Sequence, residues 1–239
     1  PGHEDIEMAL IDLLRETKEE KYLDLAEYFI KKRGRTNQFK THAIRSYLDM
    51  LDILRTVVKI KKDHEKSAQE REEEDGENPE YLTGFSAKDV LTIIGENLKG
   101  RVYQMDAPIE EKWKPVGHAV RAMYYYCGAA DLYSERDDRD LLHALELTWL
   151  KMVKARMYVT GGTGSVKAIE GFGRDFELDP KKSYSETCAA IGNLLWNARM
   201  LQITGKAKYA DLMEKILYNA MLVGQSVDGL RYTYSNPLE

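Results

Sequence analysis

The feature that most constrains this fold is an internal repeat of helical hairpins. Segment 17–30 reads TKEEKYLDLAEYFI and segment 204–217 reads TGKAKYADLMEKIL. Both have a threonine turn, a Lys-Tyr pair and matching acidic positions. A single helical hairpin cannot bury its apolar face alone, so repeated hairpins stack against their neighbours. The repeat therefore predicts an all-α domain in which helix pairs close into a toroid or continue as an open solenoid.

Three such hairpins can be traced along the chain. They occupy about residues 4–34, 117–157 and 186–224, and the glycine-rich loop that begins at Tyr158 joins the second to the third. In the first helix, the spacing predicts one apolar face formed by Ile6, Leu10, Leu13 and Leu14. Residues 86–98 predict a shorter helix capped by Ser86. An Asp-Gly turn and alternating tyrosines predict one or two short strands in the tail, 226–239.

Composition excludes several classes of function. The 239 residues carry a net charge of -5, which is unsuited to a nucleic-acid partner. No apolar run reaches the roughly 18 residues that a membrane helix needs, so no membrane partner is expected. The two cysteines cannot form a disulfide framework, which makes a cytoplasmic location the default expectation. The charged segment 59–80 is typical of a solvated helix end and loop, with an interaction arm as the alternative.

The repeat also aligns the residues that could carry chemistry. His3, His118, and the pair Glu186 and Cys188 each stand at the beginning of the first helix of a hairpin. If those first helices line the inside of a ring, their N-terminal ends converge on one mouth. Four polar, reactive side chains would then meet there.

Each candidate has a structural alternative. Glu186 and Cys188 are plausible zinc ligands, but they also suit a helix N-terminus beside a buried cysteine. Glu170 is a candidate general acid within the glycine-rich loop, or else a solvent-exposed loop residue. His118 and His3 are equally compatible with capping or core positions. The loop itself lacks the Gly-Lys-Ser/Thr ending of a phosphate loop.

Three long motifs stand in order along the chain: PGHEDIEMALIDLLRETKEEKYLDLAEYFIKKRG, PVGHAVRAMYYYCGAADL, and the run from YVTGGTGS through YSETCAAIGNLLWNARMLQ to YTYSNPL. Together they resemble glycoside hydrolase family 127, the β-L-arabinofuranosidase-like proteins. The resemblance covers residues 1–34 and about 100–239. It implies a central fragment of a catalytic domain: residues 1–225 as part of an (α/α)6 barrel, with a divergent or inserted segment at about 36–98. Residues 226–239 would begin a β-rich segment.

The resemblance also implies a retaining mechanism on an arabinose-containing oligosaccharide or glycoconjugate. By motif, Glu170 corresponds to the acid/base, His3 and His118 to substrate-contacting residues, and Glu186 and Cys188 to two zinc ligands. The family's remaining zinc ligands are two adjacent cysteines, the first of which is the nucleophile, and no Cys-Cys pair occurs in these 239 residues. We therefore expect an incomplete zinc site and an inactive chain, and we allow for a homodimer of the full-length protein. The alternative is a non-catalytic helical-repeat scaffold that binds carbohydrate or protein.

Overall fold

The structure is a computed structural model that describes residues 3–35 and 86–239. Seven α-helices lie in these ranges: α1 Ile6–Thr17, α2 Glu20–Lys32, α3 Ala87–Leu98, α4 Ala119–Arg136, α5 Arg139–Ala155, α6 Thr187–Thr204 and α7 Ala207–Ile216. Helix α7 continues into a π-helical turn, Leu217–Met221, and a short 3-10 turn, Leu222–Gly224. Further 3-10 turns are Ile109–Glu111, Lys167–Ile169 and Pro180–Lys182.

The three predicted hairpins are confirmed as the pairs α1/α2, α4/α5 and α6/α7. The first helices pack side by side, with α4 between α1 and α6. The result is an all-α arrangement of the (α/α) toroid type, in which the N-terminal ends of α1, α4 and α6 meet on one side.

The repeated threonine explains how two of the hairpins turn. The hydroxyl of Thr17 donates to the Leu13 carbonyl at 2.7 Å and accepts from the Glu19 amide at 3.3 Å. The hydroxyl of Thr204 makes the same pair of bonds, at 2.7 and 3.3 Å, to the Met200 carbonyl and the Lys206 amide. One side chain thus satisfies groups at the end of one helix and at the start of the next. In all three hairpins the first helix ends at a left-handed residue: Lys18, Asp137 and Gly205.

Helix α4 is the centre of the core. Met123, Tyr125, Tyr126 and Cys127 are fully buried on it, and the Tyr126 ring lies 4.7 Å from the ring of Trp196 on α6. Cys127 is therefore a core residue, as predicted. Burial of such large side chains on both flanks of α4 fixes α1 and α6 against it, which sets the relative positions of their N-terminal ends.

The predicted apolar face of α1 is wrong in part. Leu10 and Leu14 are buried, but Ile6 and Leu13 are 41% and 44% exposed, and Glu7 and Ile11 take their places in the interior. The Glu7 carboxylate can be buried because Arg33 on the neighbouring α2 boundary donates to it at 2.9 Å. The buried face of α1 therefore differs from the predicted face, because Arg33, 26 residues away in sequence, pairs with Glu7.

The remaining predictions have mixed outcomes. Ser86 caps α3 in a capping box with Asp89, as predicted. In the tail, the Asp228-Gly229 turn is present, but the pairing is confined to isolated bridges, Gln225 with Tyr232 and Glu186 with Ser235. Of the segment at 36–98, residues 36–85 lie outside the described residues. No helix in the described ranges is long and apolar enough to cross a membrane.

Candidate active site

His118 and Glu186 stand at equivalent places, as the N-cap residues of α4 and α6. An N-cap residue has extended backbone angles, and its side chain commonly accepts from the first turn of the helix. Neither His118 nor Glu186 makes such a capping bond. The capping alternative for His118 is therefore excluded, and both side chains instead meet partners beyond their own helices.

The glycine-rich loop is held against the start of α4 by backbone contacts. Phe172 donates to the Gly117 carbonyl at 2.9 Å, and Ala119 donates to the Glu170 carbonyl at 3.0 Å. This approach requires a glycine at position 171, because a Cβ there would lie 2.1 Å from the Gly117 carbonyl oxygen. Gly171 thus explains why the loop can place Glu170 beside His118.

Both carboxylate oxygens of Glu170 are engaged. One lies 3.1 Å from His118 Nε2, and the other accepts from the Tyr184 hydroxyl at 2.7 Å. The hydrogen bond from His118, followed by that from Tyr184, lowers the pKa of Glu170 against the opposing effect of burial. With 38% of its side chain exposed, Glu170 is held as a carboxylate that a ligand can still reach. It is therefore not a free loop residue.

Glu186 has the opposite environment. The residue is 3% exposed, and its Oε2 atom is buried without a hydrogen-bond partner among the described residues. Burial raises the pKa of Glu186, and hydrogen bonds with Tyr234 and Cys188 oppose that rise only in part. Burial likewise raises the pKa of the Cys188 thiol. An orphaned carboxylate oxygen in such a place marks a position where a cation or a hydrogen-bond donor would be favourable.

The three side chains converge on one point. One ligand atom each from His118, Glu170 and Glu186 can be chosen so that all lie within 4.8 Å of one another. The two carboxyl groups lie close together, and the pKa of Glu170 is lowered while that of Glu186 is raised. Such a pair can act as a proton acceptor and a proton donor. The cluster is also suited to holding a divalent cation.

His3 lies at the edge of this cluster. Its ring is 6.5 Å from the His118 ring and 5.6 Å from the Tyr124 ring, both edge-on. Burial lowers the pKa of His3, which favours the neutral imidazole. The structure therefore brings His3, His118, Glu170 and Glu186 to one end of the hairpins.

A zinc ion would find two of its donors here. Glu186 and Cys188 both lie at the start of α6, and the Oε2 atom of Glu186 is buried without a hydrogen-bond partner among the described residues. Carboxylate and thiolate are both zinc donors, so the pair fits as part of a zinc site. It supplies fewer than the three or four protein ligands that zinc sites use.

Sequence reasoning missed two tyrosines and one buried ion cluster. Tyr184 and Tyr234 contact Glu170 and Glu186, respectively. Next to His3, Glu4 is fully buried, and Arg33 donates to it at 3.1 Å. Tyr184 could have been expected near the site, because it precedes Glu186 by only two residues. Nothing local pointed to Tyr234, which reaches Glu186 only because the tail folds back.

Comparisons with known proteins place the whole chain in one family. The family profile described as β-L-arabinofuranosidase, GH127 catalytic domain, matches residues 1–239. The non-reducing end β-L-arabinofuranosidase of Bifidobacterium longum subsp. longum is 32% identical over 238 residues, 100% of this chain and 30% of that protein.

Solved structures give the same result. A GH127 β-L-arabinofuranosidase from Geobacillus stearothermophilus T6 matches with a TM-score of 0.72 and 35% identity, over 100% of this chain and 31% of its own. A GH127 β-arabinofuranosidase matches with a TM-score of 0.72 and 33% identity, over 100% of this chain and 28% of its own. The chain therefore spans about 30% of the length of the curated relative it matches.

Proposed function

Since this chain belongs to the GH127 β-L-arabinofuranosidase family, we propose that it forms part of a retaining glycosidase that releases arabinofuranose from the non-reducing end of a glycan or glycoconjugate. The observation that carries the proposal is the convergence of His118, Glu170 and Glu186 within 4.8 Å. A retaining glycosidase needs a proton donor on one side of the scissile bond and a nucleophile on the other.

Glu170 is the proposed acid/base. Its place supports this role, because Gly171 anchors the loop while the carboxylate remains partly exposed. The resting site favours the ionised form of Glu170, so the carboxyl has to gain its proton once the sugar is bound. A sugar that displaces water from Glu170 and His118 would favour the protonated carboxyl, because desolvation disfavours charge. Tyr184 fixes the orientation of the carboxylate throughout.

Glu186 and Cys188 are the proposed zinc donors, with Tyr234 orienting Glu186. Zinc, when bound, would supply a positive charge that keeps coordinated thiols deprotonated. The nucleophile is proposed to lie outside these 239 residues, because Cys127 is fully buried in the core and Cys188 is assigned to the metal. His3 and His118 would then contact the sugar hydroxyls from the α1 and α4 sides.

The test compares the 239-residue chain with the full product of the reading frame that encodes it. Both are assayed with zinc and p-nitrophenyl β-L-arabinofuranoside, and zinc content is measured in parallel. We expect turnover and stoichiometric zinc for the full product, and neither for the short chain. Rapid turnover by the short chain would place the nucleophile within it and refute the assignment.

The competing function is a helical-repeat scaffold that binds carbohydrate without cleaving it. The same assay separates the two. A full product that binds L-arabinofuranosides but never releases p-nitrophenol, with or without zinc, would favour the scaffold.

A further inference from the structure

A cavity lies beside the candidate active site. Its volume is about 1150 Å³, and its walls come from α3, the loop 165–174, residues 181–184 and the tail. His118, Glu170 and Glu186 do not line it. Ile169 and Tyr184 do, and these residues respectively precede Glu170 and donate to it. The cavity is therefore a neighbour of the acid/base, separated from it by one layer of side chains.

The lining of this cavity is basic. Eight lysines and arginines face three aspartates and glutamates, in a chain whose net charge is -5. The cavity is therefore rich in positive charge, although the chain as a whole is negatively charged. Clefts lined by one sign of charge raise the local concentration of ligands of the opposite sign.

Five of the eight cations already lie within 4 Å of a carboxylate, Arg174, Lys181 and Lys182 among them. Arg101 pairs with Glu96 at 3.1 Å, and Arg156 pairs with Asp175 at 2.6 Å. By contrast, Lys88, Lys114 and Lys167 have no carboxylate oxygen within 4 Å among residues 3–35 and 86–239, although Asp89 lies near enough to Lys88 and Lys167 for their charges to lower its pKa. These three lysines are not held in close ion pairs, so their ammonium groups can turn toward an anionic ligand.

Lys167 connects the cavity to the acid/base. It opens the 3-10 turn Lys167–Ile169, and its carbonyl accepts from the Glu170 amide at 3.0 Å. Lys167 therefore belongs to the same backbone turn as Glu170. Hydroxyl groups of Thr92 and Ser165 also line the cavity and suit the hydroxyls of a sugar.

We propose that this cavity binds a uronate-bearing part of the glycan, on the leaving-group side of the bond that Glu170 protonates. Rows of carboxylates spaced along a sugar chain match lysines distributed around a wide, hydroxyl-lined cavity. A nucleic acid is disfavoured by the negative charge of the rest of the chain. The placement relative to the scissile bond rests on the proposed function, whereas the binding of an acidic sugar does not.

The experiment measures binding to the 239-residue chain by calorimetry at low and moderate salt. The probes are trigalacturonate, neutral maltotriose and a sulfated galactose trisaccharide. We expect trigalacturonate to bind, to weaken as salt is added, and to outcompete both other sugars. The double variant K88Q/K167Q should bind it about tenfold more weakly, since each exposed charge contributes modestly. The matched control is Lys215→Gln, an exposed lysine on α7 that does not line the cavity.

Circular dichroism of each variant establishes that it folds. Equal binding of maltotriose, absence of trigalacturonate binding, or tighter binding of the sulfated sugar would each overturn the proposal. So would an equal loss of affinity in the Lys215→Gln control. Because no hydrolysis is measured, failure here leaves the arabinofuranosidase assignment standing. Failure of the hydrolysis assay likewise leaves this binding test intact.

Discussion

Replacing Gly171 by alanine should separate Glu170 from His118. The added Cβ would lie 2.1 Å from the Gly117 carbonyl oxygen, 2.7 Å from its carbon and 3.1 Å from the His118 Cα. All three are backbone atoms, so no side-chain rotation relieves the contact. The loop must withdraw by about 1 Å, since ordinary contacts begin above 3.4 Å.

The energetic cost follows from what the withdrawal disrupts. Overpacking of this kind costs about 1–3 kcal/mol, and weakening the hydrogen bonds from Phe172 and Ala119 adds about 1 kcal/mol each at most. We therefore expect Gly171→Ala to lower the free energy of unfolding by about 2–4 kcal/mol, measured by urea denaturation. Loss of the His118 contact should also raise the pKa of Glu170, followed by carbon-13 NMR.

The matched control is Gly95→Ala. Gly95 lies within α3, and a Cβ there would meet nothing within 4 Å. Alanine in a helix interior is favoured over glycine by about 0.5–1 kcal/mol, so this variant should be neutral or slightly more stable. A Gly171→Ala protein as stable as the Gly95→Ala protein, with the Glu170 pKa unchanged, would refute the role assigned to the loop contact.

Three further substitutions test particular contacts. Tyr184→Phe removes the donor at 2.7 Å, so the pKa of Glu170 should rise in an NMR titration; an unchanged pKa would contradict that hydrogen bond. Burial raises the pKa of Glu4 from 4.5 to about 7, so its contribution to stability is complete below pH 4.5 and is lost as the pH rises through about 7. The free energy of unfolding should therefore fall by about 3 kcal/mol between pH 4.5 and 7, as measured by urea denaturation, and Glu4→Gln should remove most of this fall. An unaltered pH dependence in the variant would contradict the assignment to Glu4. Trp149→Phe removes the buried donor 2.7 Å from Asn197 Oδ1 and should cost about 1–3 kcal/mol, whereas unchanged stability would exclude a contribution from that bond.

The hairpins could be predicted from the sequence because their determinants are local. The turn threonines, Thr17 and Thr204, bond only to residues within four positions. Apolar spacing and the Ser86 cap likewise depend on neighbours along the chain. Once the hairpins are aligned, the equivalent positions of His118 and Glu186 follow, and so does their arrival at one end of the helices.

The details of the site depend on contacts between distant segments, which explains why they could not be predicted. Tyr234 reaches Glu186 from 48 positions away, through a tail paired with the N-terminal end of α6. The burial of Glu7 in place of Leu13 depends on Arg33 from the next helix. In each case a polar group is positioned by an ion pair or a hydrogen bond to a residue distant in sequence. The local spacing of apolar residues does not predict such contacts.

The measurement that tests the central claim most directly is the kinetics of Glu170→Gln in the full product of the reading frame. Two substrates are compared, p-nitrophenyl β-L-arabinofuranoside and an arabinofuranosyl disaccharide with a poor leaving group. If Glu170 is the acid/base beside His118 and Glu186, kcat/KM on the disaccharide should fall by about 10²–10⁴-fold. The rate of the first, glycosylating step on the aryl substrate should fall far less, because the p-nitrophenolate leaving group needs little protonation. Unchanged turnover of the disaccharide, or equal losses in that step on both substrates, would contradict the account.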